Sequence, residues 1–237
     1  MKTIGLIGGL SWESSAEYYR IINERVREKL GDLHSAKSIM ISVDFYEIQN
    51  LVREDHSDKV GEILVDAAKK LELAGADVLL ICANTAHRFA DKIQKNIKIS
   101  FLHIADKTAE KIVSANINKV ALLGTRFTME EPFYKERLSH YKIETLIPNE
   151  QDRGMINEII FKELCMGVVK RESKEKFQAV IQDLKKKGAQ GVILGCTEMW
   201  MLIKSEDCSI PIFDTARIHA EAAVDYALIR LAEEGST

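Results

Sequence analysis

Short apolar runs that alternate with longer amphipathic stretches constrain the fold of this chain more than any other feature. Eight runs have the length and the β-branched composition of strands. They are Thr3–Ile7, Ser38–Val43, Asp77–Ile81, Ile99–Leu102, Lys119–Leu123, Ile143–Ile147, Gly191–Leu194 and Ile210–Phe213. The stretches between them have the spacing of helices with one apolar face. Because strands that alternate with helices are typical of parallel sheets, the sequence predicts an α/β fold with largely parallel sheets.

A weak internal repeat divides the chain into two similar halves. Gly75–Thr85 resembles Gly188–Glu198, and Ile4–Gly8 resembles Val120–Gly124. Each half therefore presents a polar turn at the carboxyl end of a strand. This is the edge at which open α/β sheets bind ligands.

The repeat also fixes a register between its two copies. When the Gly-Ala pairs that open the longer copies are aligned, Ala83 falls opposite Cys196 and Cys82 falls opposite Gly195. Neighbouring side chains of a strand point to opposite faces. We therefore expect Cys82 to face the core, unless the strand has already turned at that point.

Composition argues against several classes of function. The chain has 33 Lys and Arg against 36 Asp and Glu, with the two signs interspersed, so neither nucleic acid nor a membrane is an expected partner. The first residues carry one Lys and a short apolar run broken by glycines, which is not typical of a secretory signal. We expect a cytoplasmic protein. Its four cysteines form no C-x-x-C pair, which argues against a zinc site.

The segment Gly5–Ser11 follows the first strand and leads into a helix. Its glycines lack the G-x-G-x-x-G spacing, and the acidic residue of a dinucleotide site could only be Asp44, so a nucleotide cofactor is disfavoured. Two interpretations remain. The backbone N–H groups of Gly9, Leu10 and Ser11 could meet a carboxylate, or the loop could be a tight turn that needs glycine.

The segment Cys82–His87 ends a buried strand with small polar residues. Asn84 and Thr85 offer side-chain donors, and a helix starting at this point would add backbone N–H groups and the positive end of its dipole, all suited to a carboxylate. Asn84 could equally cap that helix. For His87 a packing or supporting role is favoured over catalysis.

The segment Val192–Glu198 repeats this arrangement with a thiol in the turn. A cysteine at a helix N-terminus has a lowered pKa, so we expect Cys196 to form a thiolate near neutral pH. The alternative is that the cysteine serves as a small buried apolar residue. That alternative is preferred for Cys165 and Cys208, and the functional role is preferred for Cys196.

At these two segments the sequence resembles the aspartate/glutamate racemase family. The first signature of the family is a Cys, an optional spacer and Asn-Thr-x-His, which reads here as Cys82–His87. The second signature, Gly-Cys-Thr-Glu, is matched by Gly195–Glu198. The resemblance continues at Gly5–Ser14, Ser42–Phe45 and Phe213–Ala216, and so spans almost the whole chain.

The resemblance implies two Rossmann-like domains related by pseudo-twofold symmetry. The first would comprise residues 1–98 with a C-terminal crossover segment, 209–237, and the second residues 99–208. Members of the family usually form homodimers, act on a small amino acid and need neither pyridoxal phosphate nor metal. We therefore expect no cofactor and a homodimer.

In the family, two cysteines flank the substrate Cα. One thiolate removes the proton, and the other thiol delivers a proton to the opposite face. The resemblance implies Cys196 as one of these catalytic groups. It places Ala83 at the position of the other, with Cys82, one residue earlier, as the alternative candidate for that acid/base role. The residues implied to bind the amino acid are Gly9, Leu10, Ser11, Asn84, Thr85, Thr125, Lys162, Thr197 and Glu198.

Two departures from the family pattern bear on the reaction. Ala83 cannot exchange a proton, which resembles a subgroup of broad-specificity or one-directional racemases. Aspartate-specific relatives hold the substrate side chain with an Arg after the second strand and a Lys. No Arg lies between Val43 and Val52, although Arg53 and Lys162 are near, so strict aspartate specificity is not expected.

Two other functions remain open. A one-thiol lyase or isomerase of dicarboxylates, such as the family relatives that decarboxylate malonate derivatives, would also combine one Cys with a small residue in the other place. A non-catalytic homologue that binds an amino acid would explain Ala83 as well.

Overall fold

The eight predicted strands are present and form two four-stranded parallel sheets flanked by helices, which confirms the predicted α/β class. The computed structural model describes residues 1–234 of the chain. In this part of the chain, no helix is both long and apolar enough to cross a membrane.

The first sheet has the strand order β2-β1-β3-β4. Its elements are β1 (Ile4–Gly8), α1 (Trp12–Leu30), β2 (Ser38–Ser42), α2 (Phe45–Arg53), α3 (Ser57–Leu73), β3 (Val78–Ile81), a 3₁₀ turn (Thr85–Phe89), α4 (Ala90–Gln94) and β4 (Ser100–Phe101). Every residue of β1 and β3 is buried, as expected for the central strands of a parallel sheet covered on both faces.

The second sheet has the order β6-β5-β7-β8. Its elements are α5 (Ile104–Ser114), β5 (Lys119–Gly124), α6 (Arg126–Glu130), α7 (Pro132–His140), β6 (Glu144–Leu146), α8 (Glu150–Lys162), α9 (Arg171–Lys186), β7 (Gly191–Gly195) and β8 (Ile212–Asp214), with 3₁₀ turns at Leu164–Met166, Met199–Met201 and Ser205–Asp207. The last helix, α10, spans Thr215–Glu234. The two sheets therefore repeat one topology, as the internal repeat predicts.

The chain divides into two compact units. Met1–Ile104 and the segment that starts at His219 form the first unit, and Ala105–Ile218 forms the second. These limits differ from the sequence-based ones because of strand pairing. β4 hydrogen-bonds to β3 and so belongs to the first sheet, whereas β8 hydrogen-bonds to β7 and belongs to the second.

One helical element differs from what the sequence predicts. The predicted helix after β3 is instead the 3₁₀ turn Thr85–Phe89 followed by the short α4.

Gly9 is required by the close approach of two strand ends. Its backbone φ is +81°, a conformation that residues with a Cβ rarely adopt. A Cβ at this position would also overlap the carbonyl oxygen of Val43, just after β2. The loop after β1 can therefore reach α1 by this path only with glycine.

We expect Gly9→Ala to destabilise the protein by about 2–4 kcal/mol, because it adds a steric overlap to an unfavourable φ. Gly75→Ala is the matched control, since Gly75 also has a positive φ of +92° but nothing lies within 4 Å of its added Cβ. It should cost only about 1–2 kcal/mol. Urea unfolding of both variants provides the measurement, and equal losses would contradict the role of the Val43 contact.

Candidate active site

The topology selects two pairs of loops as candidate ligand-binding edges. In open parallel sheets, ligands bind at the carboxyl ends of adjacent strands whose connections run in opposite directions. In the first unit these are β1 and β3, which are followed by Gly9–Ser11 and by Cys82–Asn84. In the second unit they are β5 and β7, which are followed by Thr125 and by Cys196–Glu198.

The loop after β1 is held by its own hydrogen bonds. The Gly9 N–H donates to Ser15 Oγ at 2.8 Å, and Ser15 Oγ donates to the Ser11 carbonyl at 2.9 Å. Ser11 caps α1 by accepting the Ser14 N–H at 3.1 Å, and Leu10 is buried in the first core. The Gly9 N–H is therefore engaged within the loop, which favours the tight-turn interpretation. Ser14 and Ser15, in the first turn of α1, organise this loop, and Ser15 lies outside every motif of the sequence.

Asp44, the residue that a nucleotide interpretation would need, serves as a helix cap. It precedes α2, and its Oδ1 accepts the Tyr46 N–H at 2.9 Å. This local contact accounts for an acidic residue after β2 without a ribose ligand.

At the end of β3, the Cys82 side chain is buried and the Ala83 side chain is partly exposed. The Cys82 side chain is 0% exposed, and its backbone is held on both sides: its N–H donates to the Ile7 carbonyl at 2.9 Å and its carbonyl accepts from Ser14 Oγ at 2.7 Å. Burial raises the pKa of the Cys82 thiol far above its ordinary range. Ala83 is partly exposed and packs on the rim of the first core. Cys82 thus faces the interior, as the strand alternation predicts.

The strand registers give the same alignment as the internal repeat. Ile7 of β1 pairs with Ile81, and Leu123 of β5 pairs with Leu194. Two residues beyond each pair, the chain reaches Ala83 in the first sheet and Cys196 in the second. Ala83 is therefore the positional equivalent of Cys196.

Asn84 and Thr85 follow directly in the first unit. Asn84 is buried and Thr85 is partly exposed. The Asn84 side chain makes no capping bond to the 3₁₀ turn that starts at Thr85, so the capping interpretation is wrong. The expected dipole of a long helix is also absent at this point, because a single 3₁₀ turn followed by a five-residue helix replaces it.

His87 is hydrogen-bonded to the backbone of the turn that follows β3. Its Nδ1 lies 2.7 Å from the Ala83 carbonyl oxygen, and because a carbonyl only accepts, Nδ1 carries the proton. The buried rings of His103 and His219 lie 4.6 and 5.5 Å from the His87 ring. Tyr18 completes this group through a 2.9 Å hydrogen bond to His219 Nδ1. No local motif connects these residues, and of the four only His87 lies within a motif of the sequence.

The turn after β7 joins a thiol, a hydroxyl and a carboxylate. Cys196 is 8% exposed, and its Sγ donates to Glu198 Oε2 at 2.9 Å. Thr197 Oγ1 donates to the same carboxylate oxygen at 2.9 Å. Thr197 and Glu198 are also buried. The structure thus brings these three predicted residues together.

The prediction of a lowered pKa for Cys196 is wrong. Burial, followed by the adjacent negative charge of Glu198 and the nearby Cys165, raises the pKa of this thiol well above its ordinary value. The physical reason is local. The residue is followed by the short 3₁₀ turn Met199–Met201 and not by an α-helix whose dipole would favour a thiolate.

The remaining predicted residues of the second unit have different surroundings. Thr125 is buried at the end of β5 and caps α6 by accepting the Thr128 N–H at 3.3 Å. Lys162, at the end of α8, is 72% exposed and lies 3.3 Å from Glu158 of the same helix. Lys162 therefore lies on the solvent side of α8, and the structure does not bring it to the loops after β5 and β7.

These features define an α/β protein of two similar units, with a buried thiol at the carboxyl end of a central parallel strand. Residues 7–223 match the family model described as Asp/Glu/Hydantoin racemase, and the chain belongs to this family of isomerases.

The chain is also similar to individual proteins that are described as racemases. The chain is 27% identical over 173 residues to the broad specificity amino-acid racemase RacX of Bacillus subtilis (strain 168), covering 72% of this chain and 73% of that protein. A solved structure from Yersinia pestis, described as a candidate Asp/Glu racemase, is 48% identical with a TM-score of 0.90, covering 96% of this chain and 100% of that one. An aspartate racemase homologue from Pyrococcus horikoshii OT3 is 37% identical with a TM-score of 0.84, covering 96% and 99%.

Burial of Cys82 as a neutral thiol predicts how stability depends on pH. The pKa of the Cys82 thiol is higher in the folded state than in the unfolded state. Its contribution to the free energy of unfolding is therefore complete below about pH 8.5 and is lost as the pH rises toward the folded-state pKa. Above about pH 9, the unmodified protein should lose about 1.4 kcal/mol of unfolding free energy per pH unit through this thiol, and Cys82→Ala should not show this loss.

Urea unfolding at pH 7, 9 and 10 provides the measurement. Ile81→Val is the matched control, because it removes one buried carbon from the same strand and leaves the thiol in place. It should lower stability equally at every pH. A pH slope that is the same in Cys82→Ala and in the unmodified protein would contradict the burial of a neutral thiol.

Proposed function

We propose that this protein is a cofactor-independent amino-acid racemase in which the Cys196 thiol exchanges the proton on the substrate Cα. One observation carries the proposal: in a chain of the racemase family, a buried thiol stands at the carboxyl end of β7 and is hydrogen-bonded to a carboxylate. A thiol in such a position is shielded from bulk water and held in one orientation. Both properties suit a group that transfers a proton in a defined direction.

The weak acidity of the Cα–H bond determines what the other residues must do. When the thiolate of Cys196 removes this proton, negative charge develops on Cα and on the substrate carboxylate. Donors that meet this charge lower the barrier. Asn84 and Thr85 are proposed for this task, since both follow β3 at its carboxyl end and carry side-chain donors. Thr125, after β5, is proposed as a further donor.

Ala83 leaves the proposed site with a thiol on one side only. The equivalent position in the second unit is Cys196, so only one of the two repeat-related positions carries a thiol. We propose that racemisation therefore runs unequally in its two directions. Cys82 does not substitute for the missing group in this proposal, because its side chain faces the core.

Broad specificity is proposed for the substrate side chain. The ion pair of Lys162 with Glu158 and the lack of Arg between Val43 and Val52 support it, as does the similarity to a broad specificity racemase. We further propose a cytoplasmic homodimer, as the family resemblance implies. Its four cysteines are free thiols, which fits a reducing compartment.

Exchange of the Cα proton with solvent tests the proposed activity. Incubation in D₂O with L-Asp, L-Glu and a panel of other L-amino acids should incorporate deuterium at Cα of at least one of them, detected by NMR. Cys196→Ser should lower the rate by at least about 10²-fold, because it removes the acid/base group.

Cys208→Ser is the matched control, since Cys208 is a free thiol that packs on the same core as Cys196. It should retain the exchange rate. The proposal fails if no amino acid of the panel acquires deuterium. Release of CO₂ from substituted malonates in that case would favour a one-thiol decarboxylase.

Restoring a thiol at position 83 tests the unequal site. Ala83→Cys should raise the rate of racemisation and make the L-to-D and D-to-L rates more alike, because both repeat-related positions would then carry an acid/base group. Cys82→Ala should change either rate little. Circular dichroism of the product mixture gives both rates. A loss of several orders of magnitude in Cys82→Ala would overturn the assignment of Ala83 as the equivalent of Cys196.

A further inference from the structure

The carboxylate of Glu198 is the closest charged partner of the Cys196 thiol. Its Oε2 accepts two hydrogen bonds at 2.9 Å, one from Cys196 Sγ and one from Thr197 Oγ1. Glu198 is 3% exposed, so water does not replace these donors. An oxygen that accepts two hydrogen bonds fits an ionised carboxylate.

We propose that Glu198 holds Cys196 in its protonated form in the free protein, and that the α-ammonium group of an amino acid releases the thiol by pairing with this carboxylate. This inference rests on the proposed function, since the ammonium group belongs to the amino-acid substrate. In this inference Glu198 binds the ammonium group directly and affects the proton transfer through Cys196.

The chemistry of Glu198 restricts what it can bind. An ionised carboxylate only accepts hydrogen bonds and repels other anions, so it cannot hold the carboxylate of a substrate. An α-ammonium group carries a positive charge and three donors, and is therefore the part of an amino acid that fits Glu198. Among the residues implied to bind the substrate, Glu198 is the one with a negative charge.

Pairing with an ammonium group would change the state of the thiol. The positive charge offsets the negative charge beside Sγ, and the new hydrogen bond competes with the one from Cys196. The S–H bond then breaks, its proton passes to water, and the sulfur keeps the electron pair as a thiolate. In the next step the thiolate forms an S–H bond with the Cα proton, and the electron pair of the broken C–H bond stays on the amino acid.

Few other groups can act on this thiol. Cys165, in the 3₁₀ turn after α8, and Cys208 pack against the same core cluster. Among groups that carry charge at neutral pH, Glu198 is the one that raises the pKa of Cys196, after burial. Cys165 adds to this effect only if it is itself ionised. The protonation of Cys196 thus depends first on burial and next on the Glu198 carboxylate, whose effect the Glu198 backbone hydrogen bond opposes.

Glu198→Gln tests the first half of the inference. It keeps the shape of the side chain and removes its charge, so the Cys196 thiolate should form at a pH lower by about one unit or more. Thiolate absorbance near 240 nm follows the titration, with Cys196→Ala subtracted to isolate this sulfur. A role limited to packing would not move the midpoint.

Two variants serve as controls for this titration. Glu206→Gln removes a charge from an exposed position of the same unit and should leave the midpoint unchanged. Glu198→Asp keeps the charge on a shorter side chain and should give a midpoint between those of the unmodified protein and Glu198→Gln. Equal midpoints in the unmodified protein and in Glu198→Gln would overturn the inference.

The second half is tested with α-methyl-L-aspartate and α-methyl-L-glutamate, which carry an α-ammonium group but no Cα–H. Either compound should lower the Cys196 midpoint in the unmodified protein and leave it unmoved in Glu198→Gln. Failure of both to lower the native midpoint would overturn the release by ammonium. Deuterium exchange at Cα of the amino-acid panel, measured in parallel, distinguishes this inference from the racemase proposal. Deuterium exchange without a shift of the Cys196 midpoint contradicts this inference alone. A shift of the midpoint without deuterium exchange contradicts the racemase proposal alone.

Discussion

Parallel pairing of the two central strands in each sheet is the constraint on which the rest of the structure depends. The pairs β1 with β3 and β5 with β7 are buried, except at Lys119 at the start of β5, and cannot slip without disturbing both faces of the sheet. The pairing decides which residue is the first to leave the sheet. In one unit that residue is Cys82, which Ala83 follows, and in the other it is Cys196 itself. The two candidate edges thus share one backbone path and differ in the chemistry of one side chain.

Periodicity and the repeat were sufficient to predict this framework. The eight strands are recognisable because buried parallel strands are continuous apolar runs, and the register of Ala83 with Cys196 follows from the Gly-Ala pair that opens each copy. Burial of Cys82 follows from strand alternation in the same way. These features depend on neighbouring residues, and a single sequence contains that information.

The electrostatics of the site could not be predicted in this way. A cysteine after a strand suggests a helix N-terminus and a lowered pKa, whereas the chain forms a 3₁₀ turn and places the Glu198 carboxylate against the thiol. The histidines around His87 are another example. His219 reaches this group from α10, whereas Tyr18 precedes it by 201 positions in the chain. Contacts of this kind depend on the tertiary fold.

The short bond between Cys196 and Glu198 also bears on the chemical durability of the protein. Peroxide and similar oxidants attack the thiolate form of cysteine, and the first product, a sulfenic acid, leads on to irreversible damage. A sulfur that is 8% exposed and keeps its proton is a slow target for such reagents. Cys196 is therefore protected as long as it keeps its hydrogen bond to Glu198, and Cys165, which is more exposed, is more accessible to oxidants than Cys196.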